Sequence, residues 1–325
     1  MNKKRNLLLF ALALLLMALP ALANETAAEP AENLAPVTEN LELETYRGVA
    51  VGGNLLAVDP EGDFLEYQII RAPRRGEVEL DLASGAFTYT PGETRRSQDS
   101  FTYVAVDAIG NISEEATVRI RIRRQSTAVT YHDMDGHPAH FAAVTLAEKD
   151  IFVGEQIGSR HFFAPDAQVT RGDFLAMTMR LVDRELLTDV VRTGFADDVE
   201  IAPWLRPYIS TAVMDGFVQG IRREDGYFVF NPNAPITTSE ASVLLNNALL
   251  VADVQSLGYQ MGVASVPAWA YQATANLQAA NIIPPNSTLV HPSTLSRSEA
   301  AEMLLGALHY LEENTDNRSL LSWAR

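Results

Sequence analysis

Three copies of one short pattern in the carboxyl-terminal part of this 325-residue chain constrain its fold more than any other feature. In each copy an apolar residue precedes a hydroxyl residue, and a carboxylate follows three positions later. The copies are Val169-Thr170-Arg171-Gly172-Asp173, Ile236-Thr237-Thr238-Ser239-Glu240 and Leu295-Ser296-Arg297-Ser298-Glu299. A hydroxyl residue with a carboxylate at this spacing forms the capping box that opens an α-helix. The pattern therefore predicts a threefold helical repeat.

Each copy contains a further helix ahead of its cap, so that one unit reads helix, loop, helix. The earlier helical stretches begin at Pro138, Trp204 and Trp269 and end around Asp150, Gly216 and Asn281. Gly and Asn are suited to the left-handed residue that ends a helix. After each cap the apolar residues recur at helical spacing, which predicts a buried stripe. The stripes are Phe174/Met177/Leu181, Ala241/Leu244/Leu245/Ala248 and Ala300/Met303/Leu304/Ala307/Leu308.

The first 23 residues are typical of a secretory signal peptide. The basic segment Asn2-Lys3-Lys4-Arg5 precedes an apolar run from Leu7 to Leu19 and the small residues Ala21-Leu22-Ala23, the order that export signals require. The run is short for a bilayer span, and no later apolar stretch of about 20 residues follows. We therefore expect a secreted protein with no membrane insertion after signal cleavage. Residues 24–40 are rich in Ala, Glu and Pro and are predicted to be a flexible leader.

Composition narrows the classes of partner. The chain has 25 basic and 41 acidic residues, a net charge of −16, and the signal segment carries three of the basic residues and none of the acidic ones. A nucleic-acid partner is not expected, because phosphate binding requires a basic face. The chain has no cysteine, which excludes disulfides, thiolate ligands and a lipoprotein anchor. The acidity is typical of a solvated exterior.

Residues 41–123 have a different pattern, with short alternating runs separated by turns. Phe87-Thr88-Tyr89-Thr90 and Phe101-Thr102-Tyr103-Val104-Ala105-Val106 alternate with period two, as half-buried strands do. Asp59-Pro60-Glu61-Gly62-Asp63 and Ile109-Gly110-Asn111 are turn sequences. Six or seven strands of this kind predict a small β-sandwich.

This segment resembles the cadherin-like or immunoglobulin-like modules of bacterial surface proteins, which usually serve as spacers or adhesive units. Some cadherin-like modules bind Ca²⁺ between tandem copies. The carboxylates of Asp59, Glu61, Asp63 and Asp107 are the candidate calcium ligands. Only one module is present, and the spacing differs from an EF-hand loop. The preferred interpretation of these residues is a plain turn, with no cofactor.

The carboxyl-terminal region resembles three S-layer homology repeats, the wall-anchoring modules of bacterial surface proteins. The likeness is carried by Tyr131-His132-Asp133, Phe195-Ala196-Asp197, the turn Gly216-Phe217-Val218-Gln219-Gly220 and the three capping segments. It implies a mainly α-helical, pseudo-threefold bundle. The predicted boundaries are a linker at 124–130, repeats at 131–190, 191–252 and 253–311, and a tail at 312–325.

The resemblance implies binding of a secondary cell-wall polysaccharide, often pyruvylated, in grooves between the repeats. A helix N-terminus with an Arg at its first position suits a carboxylate ligand, which makes Arg171 and Arg297 candidates. An ion-paired surface role is the alternative for both. Trp204 and Trp269 are candidates for stacking on sugars, although packing between helices is favoured for them. Gly220 belongs to the turn that the family places at the groove.

The repeats also depart from the family pattern. Pro138 stands where a Trp is expected, Thr238 replaces the Arg of the second capping segment, and Pro285 replaces a closing Gly. Thr238 cannot pair with a carboxylate, so its groove is expected to be a structural remnant or to bind a neutral sugar.

A transition-metal site and other functions are the remaining alternatives. His132, Asp133, Asp135, His137 and His140 lie close in sequence and are candidate ligands of a transition metal, but a structural role is favoured. No Gly-x-Ser-x-Gly, His-Glu-x-x-His or P-loop motif supports an enzyme. The main interpretation is noncovalent anchoring at the cell wall or S-layer. The alternative is an adhesin or lattice subunit whose β-module contacts another protein through an exposed apolar patch, and a wall polysaccharide hydrolase is the least favoured.

Overall fold

The computed structural model describes residues 33–92, 96–254, 266–283 and 293–322, with side chains described as far as residue 314. The predicted signal peptide lies at residues 1–23, outside the described residues. Within the described helices, none is long and apolar enough to cross a membrane. The described residues from Ala35 onward form one compact unit.

The amino-terminal part of this unit has nine strands, of which seven form a two-sheet sandwich. The strands are β1 (Val37–Thr38), β2 (Leu41–Tyr46), β3 (Val51–Asn54), β4 (Ala57–Val58), β5 (Glu66–Arg71), β6 (Gly76–Leu80), β7 (Ala86–Pro91), β8 (Gln98–Val106) and β9 (Ala116–Arg123). One sheet has the order β2-β9-β8-β5 and the other β3-β7-β6, while β1 and β4 form a separate pair. The β2–β9 pair is parallel and the other pairs are antiparallel.

Alternation in sequence determines which side of each strand is buried. On β9 the side chains of Val118, Ile120 and Ile122 are buried, whereas the arginines between them are exposed. Tyr89, Phe101 and Tyr103 fill the space between the sheets. The period-two pattern thus correctly predicted a sandwich, and it ends where β9 ends, at Arg123.

The module begins earlier than the sequence pattern indicated. The predicted leader extended to residue 40, but Val37 pairs with Val58 across β1 and β4. The Tyr103 hydroxyl also donates to the Glu39 carbonyl at 2.7 Å. Such short edge strands lack the length that makes an alternating pattern recognisable, so the boundary at residue 41 is wrong.

The described carboxyl-terminal part contains two helix–hairpin–helix units followed by a third pair of helices. The helices are α1 (His140–Glu148), α2 (Arg171–Leu181), α3 (Arg206–Met214), α4 (Thr238–Leu249), α5 (Tyr271–Ala279) and α6 (Arg297–Ser322), and the hairpins are β10 (Glu155–Ile157) with β11 (Arg160–Phe162) and β12 (Ile221–Arg222) with β13 (Phe228–Val229). The third connection, residues 284–292, lies outside the described residues. Helix α6 continues through most of the segment predicted as a tail at 312–325.

A closed ring of backbone hydrogen bonds joins the three units. The amide of Val169 donates to the Leu295 carbonyl at 3.0 Å, Ile236 donates to Val169 at 3.0 Å, and Leu295 donates to Ile236 at 2.9 Å. All three residues are buried and each precedes a capping residue. The starts of α2, α4 and α6 therefore lie side by side around a common axis, as the repeat predicted.

The helices end and pack as their sequence patterns indicated, but α1, α3 and α5 each begin two residues after the predicted starts at Pro138, Trp204 and Trp269. The residues after α1, α3 and α5 adopt left-handed backbone conformations at Asp150, Gly216 and Asn281. The apolar stripes that follow the three caps are buried and belong to one core. Local signals were sufficient here because capping chemistry and helical periodicity are properties of short segments.

The sandwich packs directly on the first helical unit. The Gly52 amide donates to the Pro138 carbonyl at 2.9 Å and the Phe141 amide to the Ala50 carbonyl at 3.1 Å. The rings of Tyr46 and Phe141 lie 5.2 Å apart. Residues 124–130, predicted as a linker, are held against α1 because Glu148 accepts hydrogen bonds from the amides of Ser126 and Thr127.

Candidate functional site

The capping residues have the geometry that their sequence pattern predicted. The side chains of Thr170, Thr237 and Ser296 accept from the backbone amides of Asp173, Glu240 and Glu299 at 3.1, 3.3 and 3.2 Å. The boxes of α4 and α6 are reciprocal, because Glu240 and Glu299 accept from the amides of Thr237 and Ser296. Asp173 is one methylene shorter and contacts the Thr170 hydroxyl instead. These six residues hold the helix starts in place.

The backbone amides at these helix starts are occupied by the protein itself. The Arg171 amide donates to the Ala234 carbonyl and the Gly172 amide to Pro232, both at 2.9 Å. The amides of Thr238, Arg297 and Ser298 likewise donate to carbonyls of a neighbouring repeat. The expectation that the helix N-termini offer free N–H groups to an anion is therefore wrong for these amides. The loop ahead of the next cap covers each start, so any ligand must use side chains.

Arg171 lies in a closed environment. Its guanidinium is 3.1 Å from Glu240 Oε1, and only 13% of its side chain is exposed. The guanidinium carbon also lies 5.3 Å from the centre of the Phe230 ring. Burial lowers the pKa of Arg171, an effect that the Glu240 charge opposes. The structure gives Arg171 the ion-paired role that was the alternative interpretation.

Arg297 occupies the equivalent position on α6 but faces an open cavity of about 390 Å³. We call this cavity the first groove. Its lining comes from all three repeats and comprises Ile151, Phe152, Val153, Gly154, Glu155, Gln168, Val169, Asp173, Ala176, Met177, Arg180, Trp204 and Arg297. The guanidinium of Arg297 lies over the Phe152 ring at 4.8 Å and the Phe163 ring at 5.6 Å. Its charge pairs with Glu155 at 3.0 Å, and the Glu155 side chain is 63% exposed.

The two tryptophans are exposed rather than buried between helices. Trp204 is 53% and Trp269 61% exposed, so the favoured packing role is wrong for most of their surface. Trp204 lines the first groove and meets the Tyr208 ring edge-on at 6.2 Å. Arg180 lies over that Tyr208 ring at 5.8 Å. Trp204 and Arg180 line the first groove together with Arg297, and Tyr208 contacts both of them from outside that lining.

Thr238 and Gly220 do not have the ligand-contacting geometry that was considered for them. Thr238 is fully buried, and its hydroxyl faces the Ser293 carbonyl at 3.4 Å, so no sugar can reach it. Gly220 has a φ of +77°, and a Cβ there would lie 2.4 Å from the Phe195 ring. Its role is to let the turn pass close to Phe195, and Gly154 has the same left-handed conformation in the first repeat.

Three of the candidate metal ligands accept hydrogen bonds from backbone amides through their carboxylates. Asp59 Oδ1 accepts from the amides of Glu61 and Asp63, and Asp107 Oδ1 accepts from three amides of its own turn. Asp133 accepts from the amides of Phe163 and Ala164. In the part of the chain that the structure describes, no three His, Asp or Glu side chains converge on a metal position. Asp59 and Asp107 thus hold their own turns, and Asp133 holds the loop that contains Phe163 and Ala164.

Sequence reasoning missed Phe152, Glu155 and Arg180 at the first groove. The turn from Asp150 to Gly154 corresponds in position to the turn from Gly216 to Gly220. That correspondence could have placed Phe152 and Glu155 next to the groove. Arg180 lies on α2 beyond the capping segment, and only the packing of α2 against α3 brings it to Tyr208. No local pattern reveals such a contact.

Comparison with known proteins identifies the β-module. A family model described as a bacterial Ig domain matches residues 33–121. The same comparison finds no S-layer homology domain. The chain thus contains an immunoglobulin-like all-β region followed by helices.

Two curated proteins are similar to parts of the chain. The surface-layer 125 kDa protein of Lysinibacillus sphaericus is 29% identical over 122 residues, which are 37% of this chain and 10% of that protein. The amylopullulanase of Thermoanaerobacterium thermosulfurigenes is 27% identical over 269 residues, 79% of this chain and 13% of the enzyme. The chain therefore spans about a tenth of the length of these relatives.

Among solved structures, the SrpA adhesin of Streptococcus sanguinis shares 18% identity over 38% of this chain and 74% of its own, with a TM-score of 0.25. An endo-fucoidan hydrolase of glycoside hydrolase family 107 shares 23% identity over 30% of this chain and 14% of its own, also with a TM-score of 0.25. At these TM-scores the likenesses carry no argument about function.

Proposed function

We propose that this chain is a secreted bacterial surface protein whose helical repeats bind an anionic, pyruvylated cell-wall polysaccharide and thereby hold the Ig module at the cell surface. The repeats are of the S-layer homology type. The observation that carries the proposal is the first groove, where Arg297 and Trp204 face one open cavity. The likeness of part of the chain to a surface-layer protein supports a location at the cell surface.

Arg297 is suited to a ligand carboxylate. Its guanidinium is positioned by the Phe152 and Phe163 rings, and its present ionic partner is the largely exposed Glu155. The Arg297 side chain is 14% exposed and Glu155 is 63% exposed, so Glu155 can turn into solvent when a ligand carboxylate takes its place. A planar guanidinium can then bind that carboxylate through two parallel hydrogen bonds. A pyruvate ketal on a sugar supplies such a carboxylate.

Trp204 supplies the apolar surface that a sugar ring needs. About half of its side chain is open to solvent at the groove. A sugar carries C–H groups on one face of its ring, and burying them against an indole removes apolar area from water. The chain carries a net charge of −16, so an anionic polymer is attracted by local cations alone. Binding is therefore expected to weaken with salt.

Attachment is proposed rather than polymer turnover. A glycoside hydrolase usually needs two carboxylates, one of them free to protonate the leaving oxygen. The two carboxylates of the first groove are engaged, Glu155 by Arg297 and Asp173 by Thr170. The match to an amylopullulanase covers 13% of that enzyme. Release of reducing sugar from purified walls by the mature chain would refute the non-enzymatic part of the proposal.

Arg297→Ala is expected to weaken wall binding by at least about tenfold, the loss that follows from about 1.4 kcal/mol of charge-assisted hydrogen bonding. The measurement is co-sedimentation of the mature chain with wall sacculi of the producing bacterium. Sacculi stripped of secondary polymer, and sacculi that retain the polymer without its pyruvate, provide the reference levels. The matched control is Arg222→Ala, which removes an exposed arginine from β12. Equal binding by wild type to stripped and intact sacculi would contradict anchoring itself.

Arg171→Ala is expected to lower the stability of the protein and to leave wall binding unchanged. Removal of the Arg171 side chain leaves Glu240 without its ionic partner, while Glu240 keeps its contacts to Thr237. We expect a loss of about 2 kcal/mol in the free energy of unfolding, less than for a fully buried ion pair, and unchanged sacculus binding by the folded protein. Urea denaturation measures the first quantity. A wall-binding defect larger than that of Arg297→Ala would show that the closed site, and not the first groove, holds the polymer.

A further inference from the structure

One end of the Ig module points away from the helical repeats. The contacts to the repeats come from the end of β2 and the start of β3, at Tyr46 and Gly52. β3 runs away from this junction to Asn54, which pairs with Ala86. β9 ends at the junction, so the antiparallel β8 ends at the far side, at Val106. The four segments 35–40, 55–65, 81–85 and 107–115 therefore share the far end, which we call the distal tip.

The distal tip exposes large apolar side chains. Phe64 is 94% exposed and Ile109 70%. The others are Val37 (60%), Leu56 (41%), Val58 (68%), Leu82 (56%) and Ile112 (61%). Val37 and Val58 face each other across β1 and β4, and the Thr38 hydroxyl donates to the Glu114 carbonyl, which brings β1 to the segment that contains Ile112. A single exposed apolar side chain is ordinary, but a group of them in one region is typical of an interaction surface.

Charge at the distal tip has one sign. Its four segments contain eight carboxylates and no Lys, Arg or His: Glu39, Asp59, Glu61, Asp63, Asp81, Asp107, Glu114 and Glu115. Arg71, from outside the tip, pairs with Glu115 at 3.4 Å. The arginines of β9, at positions 119, 121 and 123, pair with glutamates of β2. Within the four segments, the exposed apolar residues thus have acidic but no basic neighbours in the sequence.

The two loops that carry the most exposed residues are held by their own carboxylates. Asp59 accepts from the amides of Glu61 and Asp63, directly before Phe64. Asp107 accepts from the amides of Ile109, Gly110 and Asn111 at 2.7 to 3.0 Å. A loop fixed in this way loses little conformational entropy when its side chains are buried by a partner. Both loops present apolar side chains in positions set before binding.

We propose that the distal tip is a docking surface for a protein whose own apolar patch is rimmed by Lys and Arg. The apolar residues bury area against the partner's patch, and the six carboxylates other than the buried Asp59 and Asp107 select the sign of its rim. Tip-to-tip association of two copies is disfavoured, because it would bring two acidic rims together. This contact does not depend on polysaccharide binding, since the tip lies at the end opposite the repeats.

The test uses the full mature chain and three short fluorescent peptides: alternating Leu and Lys, alternating Leu and Glu, and alternating Ser and Lys. Fluorescence anisotropy is expected to show binding of the Leu/Lys peptide that is at least about tenfold tighter than that of the other two. The variant Phe64→Ser/Ile109→Ser should lose that advantage. Val199→Ser, which removes a 92% exposed valine from the helical region, should keep it.

Two results would overturn the proposal. Binding of the Leu/Lys peptide that is unchanged by Phe64→Ser/Ile109→Ser would show that the tip is not the surface used. Concentration-dependent dimers in sedimentation velocity that vanish in this double variant would show that a second copy is the occupant. Because the substituted side chains are exposed, circular dichroism of the variants should match wild type.

Discussion

Asp197→Ala is expected to lower the free energy of unfolding by about 4 kcal/mol. Asp197 is 8% exposed and accepts hydrogen bonds from the backbone amides of Phe230 at 2.9 Å and Asn231 at 2.7 Å. Each buried amide that loses a charged acceptor costs about 1.5–3 kcal/mol. Asn231 has a φ of +57°. Without the contact to Asp197, this residue is no longer held in its left-handed conformation. Urea denaturation followed by circular dichroism at pH 7 measures the effect.

Two further variants identify the cause. Asp197→Asn keeps one carbonyl oxygen and should lose about half as much stability, because its NH₂ group cannot accept a bond. Asp225→Ala removes an exposed aspartate that contacts Tyr227 and Arg223 and should cost less than about 1 kcal/mol. If Asp197→Ala cost no more than Asp225→Ala, the loop ahead of each cap would be held by something other than this carboxylate.

The same arrangement occurs in the first repeat, where Asp133 accepts from the amides of Phe163 and Ala164, and Ala164 has a φ of +54°. The aspartate of each repeat opening therefore fixes the loop that covers the start of a neighbouring helix. In the second repeat this loop supplies the carbonyls of Pro232 and Ala234 to α2. The aspartate of the repeat opening and the residues of the capping segment thus stabilise the same feature, a helix start and the loop that covers it.

Much of the repeat architecture could be predicted from sequence, because its signals are local. A hydroxyl and a carboxylate three residues apart define a helix start within one turn, and the stripes after Thr170, Thr237 and Ser296 define the buried face. The sandwich was also predictable from its alternating strands. Its first two-residue strand was not, since Val37 and Thr38 form too short a segment to show alternation.

The grooves were predicted less well, because their character depends on contacts between repeats. Arg171 and Arg297 follow their caps in the same way and are equally buried, at 13% and 14% exposed, but Arg297 lines a cavity and its partner Glu155 is more exposed than Glu240. Glu240 stands at the third helical position and reaches Arg171. Asp173 occupies the corresponding position beside Arg297, but it is shorter and bonds Thr170. The two sites therefore differ in which element supplies the carboxylate, α4 for Arg171 and β10 for Arg297.

The exposure of Trp204 and Trp269 could not be predicted for a related reason. Helical periodicity assigns residues to faces of a helix, but both tryptophans precede their helices, at α3 and α5. Their environment is set by the neighbouring units. For Trp204 that environment is the wall of the first groove, with Tyr208 one turn further along.

Gly52→Val is expected to separate the unfolding of the Ig module from that of the helical repeats. A Cβ on Gly52 would lie 2.8 Å from Pro138 Cβ, closer than carbon atoms can pack. The added side chain must therefore push the sandwich from the first repeat and strain the contact between the Gly52 amide and the Pro138 carbonyl. Overpacking of this kind costs about 1–3 kcal/mol.

Calorimetry measures the outcome. The wild type is expected to unfold in one transition, since a continuous core runs from Tyr46 through Phe141 into the helices, whereas Gly52→Val should show two. Gln68→Val places the same side chain at an exposed position of β5 and should leave one transition. Two transitions in the wild type would mean that the junction contributes little. One transition in the wild type and two in Gly52→Val would show that the close approach of Gly52 to Pro138 joins the module and the repeats into one mechanical unit. A force on the distal tip would then reach the first groove without passing through a flexible linker.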